Sequence, residues 1–126
     1  MIAMQRYALT GIAALAALSA VHAVRDAGLG GHWLIGVAPN LCAAIAIPFV
    51  ALSVWADRRR DADRRETRRA FAWCASGSLV GLVAWELVQL GPRGLVFDLR
   101  DLVATVVGTG FAGALIVRLA PRQEPP

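Results

Sequence analysis

Lysine is missing from this 126-residue chain, so all 13 basic side chains are arginine. Charge of any kind is sparse: 17% of residues are charged, 57% are hydrophobic, and the mean hydropathy is +0.55. A soluble domain this small cannot hide that much apolar surface, so the solvent for most of the chain should be lipid. There are only two cysteines, Cys42 and Cys74. In the topology set out below they differ in depth by about 10 Å at the helical rise, too far for a disulfide, and both read as small apolar side chains. No His/Cys spacing fits zinc. There is no glycine-rich phosphate loop after a strand, no serine-nucleophile motif and no Cys/His pair placed for catalysis. No cofactor and no catalytic residue is assigned.

What the chain does have is four long apolar runs, which predict an all-α polytopic membrane protein of one domain, residues 1–126. The first, about 7–24, is almost all alanine and leucine. It ends Val21-His22-Ala23, the pattern of a signal-peptidase site, but Arg6 is a weak positive flank, and a retained helix is the expectation. The second, about 33–55, has Trp33 and Trp55 at its ends, where interfacial tryptophans belong. Pro39 should begin its regular helix after a short lead-in, and Pro48 should kink it. The third and fourth runs cover about 71–90 and 98–119. The tail, 120–126, carries Pro121, Pro125 and Pro126 and is expected to be disordered.

The charges orient these spans. Seven of the arginines fall between Arg58 and Arg69, beside four acids in the segment 57–69. Next to two apolar runs, such a segment is a retained cytoplasmic loop rather than a nucleic-acid site. Both termini are then cytoplasmic, and the loops 25–32 and 91–97 face outward. The mixed charges of 57–69 suit helical extensions with i,i+4 pairs such as Asp61–Arg65. Two stripes of small residues, Gly77/Gly81 and Ala104/Gly108/Ala112, are expected at helix–helix contacts.

With that orientation, the costly polar residues collect in the outer third of the bundle. Asn40 lies near the outer end of the second span. Glu86 lies about one turn inside the outer end of the third, with Gln89 three residues later. Asp98 and Asp101 open the fourth, where an N-cap with an acidic third residue is the structural alternative to a functional role. An ionisable group inside an apolar run costs up to about 2.5–3.5 kcal/mol, so Glu86 should face the bundle and either find a partner such as Arg93, Asn40 or Gln89 or be protonated. Glu86, Asp98 and Asp101 are hard oxygen donors of the type used for Mg²⁺ or Ca²⁺, but nothing in their spacing assigns a metal.

These residues resemble the VanZ-like family of small bacterial membrane proteins. The family pattern places Glu-x-x-Gln at the end of one span, an arginine in a short turn, and Phe-Asp-x-x-Asp at the start of the next. A small polar residue, often Asn, follows four positions on, and a glycine three further. Here Glu86 and Gln89 match the first element, Phe97, Asp98 and Asp101 the second, and Gly108 the glycine. Thr105 stands where Asn is usual. Arg93 is nearest to the turn arginine, although it lies earlier than the usual place just before Phe-Asp. The likeness covers Trp85 to Gly113, about a quarter of the chain. It implies a bacterial inner-membrane location and a cell-envelope role, with glycopeptide resistance among the outcomes associated with the family.

The functional expectation is therefore a binding protein rather than an enzyme. Its polar cluster of Glu86, Gln89, Asp98, Asp101, Thr105, Arg93 and Asn40 would take a lipid, a lipid-linked molecule or a small polar molecule. One alternative is an embedded enzyme using Glu86 or Asp101 as acid or base on an envelope lipid. The other is a structural or transport subunit that packs against another copy, or another membrane protein, through its small-residue stripes.

Overall fold

The computed structural model describes residues 2–89 and 98–120. They form four helices, α1 (Ala3–Asp26), α2 (Trp33–Arg58), α3 (Arg64–Val88) and α4 (Leu99–Leu119), with no strand among the described residues. Each helix is long and apolar enough to cross a membrane. Even the shortest, α4 with 21 residues, extends about 31 Å, close to the thickness of the hydrocarbon core. The expected turn over 91–97, with Arg93 and Phe97, and the tail from Pro121 onward lie outside the described residues.

The helix boundaries are set by local chemistry. α1 ends in a Schellman turn: the Gly28 N–H donates to Arg25 O at 3.0 Å and the Leu29 N–H to Val24 O at 3.1 Å. Gly28 takes φ +78°, which a glycine adopts without cost. α2 begins at Trp33 because His32 caps it, with Nδ1 accepting from the Leu34 N–H at 3.3 Å. Pro39 therefore does not start the helix as the sequence reading expected. Both Pro39 and Pro48 lie inside the assigned helix.

The arginine-rich segment also differs from expectation. α2 runs on to Arg58 and α3 starts at Arg64, which leaves only 59–63 as a connection. Asp61 falls in that connection rather than in a helix, so the i,i+4 pair with Arg65 does not form; among the described residues the ion pair present is Arg60–Asp57 at 3.2 Å. Asp63 caps α3 in a reciprocal box. Its Oδ1 accepts from the Glu66 N–H at 2.7 Å, and Glu66 Oε2 accepts from the Asp63 N–H at 3.2 Å.

α2 is the central element. It packs on all three other helices, α3 and α4 close against each other, and α1 rests chiefly on α2. Small residues set the closest approaches. A Cβ at Gly108 would lie 2.7 Å from Leu41 O and 2.9 Å from the Ala44 Cβ, so α4 touches the α2 backbone there. Ala104 and Ala112 are buried on the same stripe. Gly11 does the same for α1, where a Cβ would meet the Val50 Cγ2 at 2.7 Å.

Gly77 and Gly81 do not pack against any of the described residues. Both are exposed, and a Cβ on either would meet nothing within 4 Å. The inward stripe of α3 is Thr67, Phe71, Ala75, Ser78 and Glu86, and the two glycines lie roughly a quarter to a third of a turn away from it.

The apolar core lies towards the arginine-rich end. Phe49 and Phe71 meet there at 5.2 Å between ring centroids, surrounded by Tyr7, Leu52, Ala56, Ala112 and Ile116. The opposite end is joined by polar groups instead.

Candidate functional site

At that opposite end, three helices each contribute one polar side chain to a common point. Asn40 comes from the first half of α2, Glu86 from the last turn of α3, and Asp101 from the first turn of α4. The Asn40 Nδ2 donates to Glu86 Oε1 at 3.4 Å, and Asp101 lies close enough to act on Glu86 and to face the same amide. Glu86 is only 4% exposed. Its burial follows from the α3 stripe: eight and eleven residues after Ser78 and Ala75, it falls on the same side of the helix as both.

The remaining expected residues sit around this centre in different roles. Asp98 is exposed and caps α4, its Oδ1 accepting from the Arg100 N–H at 2.9 Å, and its charge still reaches Glu86 and Asp101. Gln89 is half-buried at the C-cap of α3. Thr105 is 1% exposed, one turn below Asp101, and its hydroxyl donates to the Asp101 main-chain carbonyl at 2.9 Å. It is a packed, back-bonded residue beneath the cluster rather than a wall of it. Arg93 lies outside the described residues.

One contributor was not singled out from the sequence. Arg25, at the end of α1, lies within electrostatic reach of Asp101. Its signal was its place: it is the basic residue in the last turn of α1, directly before the glycine-rich turn. It reads in sequence as an ordinary loop charge, because nothing local says that α4 begins beside it.

The chemistry of this arrangement is acceptor-rich. Ionised carboxylates only accept hydrogen bonds, while the Asn40 amide supplies two N–H donors and one acceptor. The two carboxylates repel one another unless a proton, a cation or a donor-bearing ligand stands between them. Among the described residues, no three His, Cys, Asp or Glu side chains are placed to hold a metal ion. Beside the cluster, a groove of about 580 Å³ runs between α2 and α4. Its walls are apolar, among them Trp33, Leu34, Val37 and Val103, and Asp98 and Arg100 also line it.

No protein-family model matches this chain, and no curated protein or solved structure is similar to it.

Proposed function

We propose that this is a VanZ-like multi-pass protein of the bacterial inner membrane whose polar cluster opens outward and binds a donor-rich polar molecule, free or lipid-linked. The observation that carries this reading is the convergence of Asn40, Glu86 and Asp101 from three helices at one end of the bundle, with Glu86 buried there. A carboxylate that only closed a helix end would sit at the surface, as Asp98 does. Two acids around one amide select hydroxyl or amine groups over anions. The apolar groove alongside suits the chain of a lipid-linked ligand.

The outward direction rests on the arginine-rich connection at the other end of the bundle, which belongs on the cytoplasmic side. The resemblance of Glu86, Gln89, Asp98, Asp101 and Gly108 to the VanZ-like pattern supplies the cell-envelope role, with resistance to an envelope-targeting glycopeptide as one outcome. The test is glycopeptide sensitivity and envelope-stress response of Glu86→Gln and Asp101→Asn in the native host, at membrane levels matched by blotting. Loss of the wild-type response in both is expected. A wild-type response in both would remove the cluster from function.

A further inference from the structure

The groove between α2 and α4 has a definite length and direction. On α2 its wall runs from Trp33 to Leu41, about 12 Å at the helical rise, and on α4 from Asp98 to Val107, about 13 Å. The two helices close immediately beyond, where a Cβ at Gly108 would meet Leu41 O at 2.7 Å. The groove is therefore a wedge, shut at Gly108 and open towards the starts of both helices. Trp33 marks that open end as the membrane interface. Half of a hydrocarbon core about 30 Å thick is about 15 Å, so the wedge has the depth of one lipid chain in one leaflet.

Its two charged wall residues, Asp98 and Arg100, both lie at the open end. They are exposed and of opposite sign, yet they form no ion pair with each other. Asp98 Oδ1 accepts from the Arg100 main-chain N–H, while the Arg100 guanidinium makes no hydrogen bond or ion pair among the described residues. An apolar wedge with one free cation and one anion at its mouth complements a lipid whose headgroup carries the same pair. A phosphate would meet Arg100, and an ammonium would meet Asp98. A purely anionic headgroup would satisfy Arg100 but place like charge against Asp98.

We propose that the groove holds one acyl chain of a phospholipid with a primary-amine headgroup, its phosphate at Arg100 and its ammonium at Asp98. A primary ammonium brings three N–H donors, whereas the quaternary ammonium of choline has none. The acceptor-rich cluster of Glu86 and Asp101 beside the groove favours the same donor-bearing group. The inference rests on the reading above for the groove as the place of a lipid chain, and it names the headgroup.

The experiment uses the full-length protein, delipidated in maltoside micelles near neutral pH, with thermal unfolding followed as lipid is added. Dioctanoyl phosphatidylethanolamine is compared with dioctanoyl phosphatidylcholine and dioctanoyl phosphatidylglycerol. Saturable stabilisation is expected, with the ethanolamine lipid half-saturating at a mole fraction about tenfold below the other two, as one hydrogen bond to a charged group gives. Asp98→Asn keeps the capping oxygen and removes the charge, and should erase that preference. Arg100→Gln should raise half-saturation about tenfold for the ethanolamine and choline lipids alike. Val103→Trp, at an exposed position on the groove wall, should abolish saturation by filling the groove. No saturable stabilisation, equal half-saturation for the ethanolamine and choline lipids, or a lower value for phosphatidylglycerol would each overturn the proposal. So would a preference unchanged in Asp98→Asn. A host response that requires Glu86, without any lipid preference in micelles, would overturn this inference alone and leave the cluster reading standing. An ethanolamine preference beside a host response independent of Glu86 would do the reverse.

Discussion

Glu86 is pulled in two directions. Its position on the inner stripe of α3 buries it, while its charge favours water, and only the Asn40 amide bonds it among the described residues. Asn40→Ala should therefore lower stability by about 1–3 kcal/mol, the cost of leaving a buried acceptor unpaired. Glu86→Gln keeps the shape, keeps an acceptor for Asn40 and removes the repulsion from Asp101. Its melting temperature in detergent should equal or exceed that of the wild type while the cellular response is lost. A large fall in melting temperature would make Glu86 a structural residue instead. The expense of a carboxylate in an apolar run was plain in the sequence, as was Asn40 as one of its candidate partners. The part played by Arg25 was not, because it depends on α1 ending beside the start of α4.

At the scale of the element, the same residue type behaves oppositely on two helices. A side chain at Gly108 would run into the backbone oxygen of Leu41, which cannot step aside as a flexible side chain can. Gly108→Val should destabilise the fold by about 1–3 kcal/mol or more through overpacking. Gly77→Ala meets nothing and removes a helix-weakening glycine, so it should be neutral or stabilising by up to about 1 kcal/mol. Denaturant unfolding of the two variants in the same detergent measures the contrast, and equal effects would mean that the α2–α4 contact is looser than described. Helix ends are a second element-scale matter. Asp63→Ala removes the side-chain acceptor of the Glu66 N–H, one of the two bonds of the capping box of α3, and should cost about 1 kcal/mol, read as a fall in unfolding midpoint. The same end of the bundle is also tied by Arg64, whose Nη2 donates to the Val117 carbonyl in the last turn of α4 at 3.1 Å.

For the whole molecule, the two ends are built differently. One has an aromatic and aliphatic core, with tyrosine and arginines around a small cavity; the other has carboxylates and amides beside an open groove. If the arginine-rich connection is cytoplasmic, a fluorescent protein fused to the C-terminus should fold and fluoresce, and an alkaline phosphatase fusion there should be inactive. The reverse pattern would invert the bundle and turn the carboxylate cluster towards the cytoplasm. Replacing Arg58, Arg59 and Arg60 by glutamine should weaken that orientation, visible as a mixed population with both reporters.

The number of spans, their approximate limits and the concentration of arginine in one connection were determined by the sequence alone. Each depends only on local composition: a run of apolar residues prefers hydrocarbon wherever it sits, and a charged connection does not cross it. Tertiary structure decided how each helix is rotated about its own axis. In lipid, apolar side chains are at home on every face, so hydropathy does not say which face looks inward. Gly77 and Gly108 are alike in sequence, yet only Gly108 has the backbone of α2 against it. Asn40, Glu86 and Asp101 are separated by 46 and 15 positions, and they meet because close contact along Ala104, Gly108 and Ala112 draws α4 against α2.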